Sequence, residues 1–126
     1  MGTYPHARRV GDLLFLSGIG PIDPETNQVP GVKLDDQGRI AEYDIAQQCH
    51  AVFRNVKTVL ESCGADWLQL VDITVFLTHI ERDFDTDNRI YSQYFDQNPP
   101  CRTTVGVTGL PSPIAIELKC IADLRS

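Results

Sequence analysis

The chain has 126 residues, 42% of them apolar and 22% charged, which fits one globular domain with room for a single core. Its net charge of −6 argues against nucleic acid, whose binding rests on Lys and Arg set against phosphates. No apolar run nears the ~20 residues of a membrane span, and no basic-then-apolar leader opens the sequence. The expectation is one domain over residues 1–126, cytoplasmic, without membrane or nucleic-acid partners.

Residues 7–10 and 13–17 read as a hairpin turning at Gly11-Asp12, with Pro5 confining the first strand to an edge. Leu13, Leu14, Phe15 and Leu16 form an unbroken apolar run, which predicts a strand covered on both faces. Residues 18–43 are rich in Gly and Pro and read as loop. The polar stretch 33–43 is longer than a compact domain needs, so it is either functional or disordered.

The spacing of Ile45, Cys49, Val52, Phe53, Val56, Val59, Leu60 and Cys63 predicts an amphipathic helix over 44–63. Asp44 with Gln47 resembles a capping box, and Gly64 is a natural stop. His50 lies off the stripe and reads as solvated. In residues 71–78, Val71, Ile73, Val75 and Leu77 alternate with Asp72, Thr74, Phe76 and Thr78, which predicts a strand. A second helix follows over about 82–97, its apolar side supplied by Phe84, Ile90, Tyr91, Tyr94 and Phe95, and Pro99-Pro100 end it.

The last segment reads as strand, turn, strand. Thr103, Val105 and Val107 form one candidate core face, and Ile114, Ile116, Leu118 and Cys120 the other. Arg102 and Glu117 then both fall on faces away from the core. The order β-β-loop-α-β-α-β-β predicts an α+β layer pair, with two helices on one face of the sheet. The opposite face, bearing Thr, Phe, Arg and Glu, needs a cover, and oligomerisation through the sheet is the economical one.

An arginine fork suits a carboxylate ligand, and a glutamate can orient or deprotonate a water. An ordinary cross-strand ion pair, worth ~0–1 kcal/mol if exposed, explains Arg102 and Glu117 equally well. Ser17-Gly18 can line a pocket mouth or simply end a strand. Cys49, Cys63, Cys101 and Cys120 are widely spaced and His6, His50 and His79 isolated, so no metal site is expected. The cysteines read as small, buried, reduced residues.

With Arg102, Leu110-Pro111 and Ile116-Glu117 in place, residues 101–122 resemble the C-terminal signature of the reactive intermediate deaminase family, also called Rid or YjgF. Tyr4, Ser17-Gly18, Asn88, Tyr91, Tyr94 and Phe95 extend the likeness over nearly the whole chain. The resemblance implies a chorismate mutase-like fold, a homotrimer with sites between subunits, and hydrolysis of imines or enamines without metal or organic cofactor. It implies that Arg102 grips a substrate carboxylate and Glu117 positions water, that Tyr4 and Gly18 line the pocket, and that Asn88 braces it.

There are departures. Thr104 stands where archetypal members often carry Cys. The additional stretch 31–43, the opening Tyr4-Pro5-His6-Ala7 and the run Arg102-Thr103-Thr104-Val105 look more like the 2-aminomuconate deaminases. Such a dicarboxylate needs a second cation, because burying an unpaired carboxylate is costly. His6 and Arg8, on the strand parity of Tyr4, are the candidates. A general 2-iminoacid deaminase and a non-catalytic carboxylate-binding module are the alternatives.

Overall fold

The computed structural model describes residues 5–111 and 113–125. Seven strands and two helices alternate along them: β1 (Ala7–Val10), β2 (Leu13–Leu16), β3 (Lys33–Leu34), β4 (Ile40–Glu42), α1 (Ile45–Ser62), β5 (Leu70–Leu77), α2 (Ile80–Tyr94), β6 (Cys101–Gly106) and β7 (Ile116–Asp123). Five of the strands form one sheet in the order β1-β2-β7-β5-β6. Only β5 and β6 run parallel, joined by the crossover through α2, so the sheet is mixed. The α+β architecture is as expected.

α1 starts where Asp44 accepts hydrogen bonds from the backbone N–H groups of Ala46 and Gln47. Gln47 donates to the Asp44 carboxylate rather than closing a reciprocal box. The reciprocal box forms instead at Asp66 and Gln69, around the single 3₁₀ turn Trp67–Gln69. Cys49, Val52, Phe53, Val56 and Leu60 of α1 are fully buried against Leu16, Ile73, Val75, Leu77, Ile116, Leu118 and Cys120 of the sheet. Phe53 gathers Trp67, Tyr91, Tyr94 and Phe95 around itself. That aromatic cluster fixes the C-terminal half of α2 over the sheet.

Three expectations need correcting. Phe84 belongs to the exposed side of α2 and is 40% accessible, while the buried residues of that helix include the acidic pair Asp83 and Asp87. Val71 sits at a register shift, so Leu70 takes its place on the core face. Of the four cysteines only Cys49 and Cys120 are buried; all four are free thiols, with Cys63 and Cys101 exposed. The stretch 33–43 is an ordered β3–β4 hairpin, anchored where the Tyr43 hydroxyl donates to Asp83 at 2.5 Å.

The largest correction concerns β6. Its parallel register sets Arg102 beside Ile73, Thr104 beside Val75 and Gly106 beside Leu77. Ile73, Val75 and Leu77 all face the helices, so Arg102, Thr104 and Gly106 do too. Thr103 and Val105 lie on the open face. A Cβ on Gly106 would meet Ile80 of α2 at 2.8 Å. Gly106→Ala should therefore destabilise the fold by about 1–3 kcal/mol, read as a lower urea midpoint at unchanged slope. An unchanged midpoint would place residue 106 on the other face.

Candidate functional site

Arg102 is held on several sides. Its Nε donates to Thr104 Oγ1 at 3.0 Å, Nη1 to Asn88 Oδ1 at 2.7 Å and Nη2 to Asp87 Oδ2 at 2.7 Å. The guanidinium carbon lies 4.2 Å from the centre of the Tyr91 ring and 5.7 Å from that of Phe84. Asp87 and Tyr91 are one helical turn apart on α2, so both reach the same side chain. The Arg102 side chain is 17% accessible and that of Asp87 fully buried. Two of the five guanidinium N–H donors, one on each terminal nitrogen, have no partner among the described residues, and two parallel donors are what a bidentate carboxylate grip uses.

Electrostatics favour a tight pair. Burial pushes the Asp87 carboxyl up, and the Arg102 guanidinium pulls it back down. Cys49 Sγ donates to Asp87 Oδ1 at 3.5 Å from α1. Its thiol is itself raised, first by burial and then by Asp87, so it stays protonated and inert. The buried Tyr91 hydroxyl has no hydrogen-bond partner, and burial carries its pKa up to about 12.

Glu117 is elsewhere. It lies on the open face opposite Phe76, and its pKa is raised by burial. Gly18 is held beside it by the Ile19–Leu118 backbone pair, and a Cβ at residue 18 would meet Glu117 Oε2 at 2.9 Å. Only a glycine leaves that carboxylate room. The Ser17 hydroxyl donates to the Pro5 carbonyl at 2.6 Å, which ties the chain entry to the end of β2. Lys119, one step along the same face, donates to the Leu16 carbonyl. It is a cation on the strand face of Glu117, two residues along β7.

The expected site residues thus fall into two groups. Arg102, Asn88 and Thr104 meet on the helix side at one sheet edge; Glu117, Gly18 and Ser17 meet on the open face. Strand β5 separates β6 from β7, and the register offsets Arg102 from Glu117 by three residues. That amounts to about 14 Å between backbones, with side chains on opposite faces. An ion pair between them, and a shared face, are both ruled out; the partner of Arg102 is Asp87. Arg8 and His6 are exposed at the opposite sheet edge, four strand spacings or roughly 19 Å from β6, with Arg8 on the open face. Tyr4 lies outside the described residues. Asp87 carries no periodic or motif signal in the sequence, and Tyr91, expected on the apolar side of the second helix and in the family likeness, packs against the guanidinium.

Surface cavities of about 420 and 440 Å³ lie beside Val29 and Pro113 and beside Tyr43, His79 and Arg82. Neither contains Arg102 or Glu117. No three metal-ligating side chains gather among the described residues, and no described helix is long and apolar enough to cross a membrane.

Comparison with known proteins adds to this geometry. The family model described as Endoribonuclease L-PSP matches residues 1–124. A RutC family protein of Pyrococcus abyssi is 38% identical over 122 residues, covering 97% of this chain and 87% of that protein. The chloroplastic Reactive Intermediate Deaminase A of Arabidopsis thaliana is 34% identical over 124 residues, covering 98% of this chain and 60% of that protein. Among solved structures, E. coli TdcF with bound serine superposes with a TM-score of 0.82 at 29% identity, covering 98% of this chain and 89% of that one.

Removing Arg102 should be felt in stability first. Arg102→Ala strands the buried Asp87 carboxylate, at a cost of about 3–5 kcal/mol. Burial is then opposed only by the Cys49 hydrogen bond, and the Asp87 carboxyl rises further above the ordinary 3.8. A carboxyl raised in the fold keeps a proton that the unfolded chain has lost, so stability falls as pH climbs out of the acid range. The deficit of Arg102→Ala should be larger at pH 7 than near pH 4 in chemical denaturation. A deficit independent of pH would contradict this account of the pair.

Proposed function

The chain belongs to the reactive intermediate deaminase (Rid, YjgF or RidA) family, and on that premise we propose that it hydrolyses imine or enamine carboxylates to oxo acids and ammonia. The observation that carries this reading is the Arg102 fork, anchored by three of its N–H donors on Thr104, Asn88 and Asp87 with two left for a carboxylate. TdcF with bound serine offers a parallel, a related fold holding a small amino acid. A net charge of −6 favours a small acid gripped by one arginine over a polyphosphate chain.

In this reading Arg102 and Glu117 come from different copies, because one chain keeps them on opposite faces. The open face carries Val10, Leu13, Phe15, Phe76, Val105 and Ile121, none of them buried in the single chain. A homotrimer packed through those residues would cover them and bring the Glu117 side of one sheet to the Arg102 edge of the next. Arg102 then binds the carboxylate and holds the adjacent imine carbon. Glu117 takes a proton from water as its oxygen adds to that carbon. That proton passes to nitrogen to give the carbinolamine; Glu117 then takes the hydroxyl proton and hands it to the same nitrogen, so the carbon–nitrogen bond breaks and ammonia leaves as the carbonyl forms. Gly18 leaves space beside Glu117 for the water.

The finer substrate reading is 2-aminomuconate, hydrolysed to 4-oxalocrotonate and ammonia. Its support is that Lys119 and Arg8 are cations on the Glu117 face, where a second carboxylate would need one. Ammonia release on 2-aminomuconate, set against a 2-iminoacid generated in place from an amino acid, separates this from the general deaminase.

Arg102→Lys keeps a cation for Asp87 but loses the fork, and should lower kcat/KM about tenfold to hundredfold, mainly through KM. Glu117→Gln should lower kcat by roughly 10²–10⁴. Glu117 acts as the carboxylate, so kcat/KM should rise with pH through its pKa, on a limb lying above the ordinary 4.5. That limb should vanish in Glu117→Gln. Full activity in either variant would remove the residue from the mechanism.

A further inference from the structure

Asp87 is the least expected member of the Arg102 cluster. A fully buried carboxylate 2.7 Å from the guanidinium offsets the charge on which a carboxylate clamp draws. It is not explained as a stabilising feature, since buried ion pairs are often no more stable than the apolar packing that could replace them. Two hydrogen bonds hold it in one orientation: Cys49 donates to its second oxygen from α1 and Arg102 to its first from β6. Burial and the like charge of Asp83, one turn earlier on α2, work against its ionisation. Tyr91 closes one face of the guanidinium.

Resting on the deaminase reading of the same site, we propose that Asp87 is a positioning residue for Arg102 which also tempers the clamp. Its hydrogen bond fixes the plane and tilt of the fork so that the two free N–H groups point outward together. Its charge weakens the long-range pull of the fork on anions, so binding depends on the two aligned hydrogen bonds rather than on charge alone. A clamp of this kind releases its oxo-acid product, which carries the same carboxylate as the substrate, more readily than a bare arginine would. It also discriminates against anions that cannot match the fork.

The two effects separate by substitution. Asp87→Asn keeps an oxygen for Arg102 Nη2 and removes the charge. Asp87→Ala removes both. A carboxylate bound to the free donors sits roughly 6 Å from Asp87, so removing that charge should tighten binding about tenfold or more. Losing a charge-assisted hydrogen bond costs a further factor of roughly tenfold to a hundredfold. Pyruvate, an oxo-acid product that does not turn over, is the probe, with calorimetry on the assembled protein as the readout. Asp87→Asn should bind pyruvate about tenfold tighter than wild type, and Asp87→Ala at least tenfold weaker than Asp87→Asn. In NMR, the Arg102 Nη protons should stay resolved in wild type and Asp87→Asn and collapse by fast rotation in Asp87→Ala.

Equal affinities for Asp87→Asn and Asp87→Ala would overturn the positioning role, and an Asp87→Asn no tighter than wild type would overturn the tempering. If Asp87→Ala does not fold, the Asp87→Asn affinity still decides the tempering, and Arg102 Nη protons averaged by fast rotation in both wild type and Asp87→Asn would overturn the positioning role. A wild type that binds pyruvate through Arg102 yet releases no ammonia from imines would sink the deaminase reading and leave this one standing. Pyruvate binding indifferent to Arg102→Lys would overturn both.

Discussion

Parallel pairing of β6 with β5 governs the site. It sets Arg102 level with Ile73 and turns it toward the helices, where a long charged side chain meets little water. The fold answers with α2. Asp87 and Asn88 accept from the guanidinium, and Tyr91 lies under it. α2 in turn is held by the aromatic cluster on Phe53, whose own position is set by the apolar stripe of α1. The geometry of one guanidinium is thus fixed by core packing around a residue of the neighbouring helix. A site so supported is rigid before ligand arrives, which lowers the ordering cost of binding.

In the proposed deaminase reading, the same pairing leaves the chain incomplete. β6 carries Arg102 on one face, β7 carries Glu117 on the other, and β5 stands between them. Each half is finished locally: Arg102 by α2, Glu117 by the close approach of Gly18. Neither half has the other's chemistry. The uncovered apolar residues of the open face supply a reason for copies of the chain to associate, and the divided machinery supplies a reason for that association to matter.

Much of this was legible in the residues. The α1 stripe, the strand alternations and the doubly apolar run at Leu13–Leu16 gave the layer order and the need for a cover. Arg102, Glu117 and Gly18 stood out by their chemistry and by family likeness. The face of Arg102 did not. Strand parity says which residues share a face, not which face is inward, and Thr103, Val105 and Val107 are the more apolar set. Register against β5, a non-local pairing, decided otherwise. Asp87 was illegible for a related reason. A charge on a helix is ordinarily solvated, and only the position of β6 makes this one a buried partner. The 33–43 hairpin was hidden because its strands are two and three residues long and its anchor, Tyr43 to Asp83, spans forty positions.

The central claim is that one copy supplies the clamp and another the base. Complementation tests it most directly. Arg102→Lys and Glu117→Gln chains, each impaired alone, are unfolded together, refolded as mixed assemblies, and assayed for ammonia release from a 2-iminoacid. Sites that draw Arg102 from one variant and Glu117 from the other have both native groups, and random mixing of equal amounts makes them about a quarter of the total. Activity should return to roughly that fraction of wild type. Mixed assemblies that form yet stay no more active than the two variants apart would contradict it.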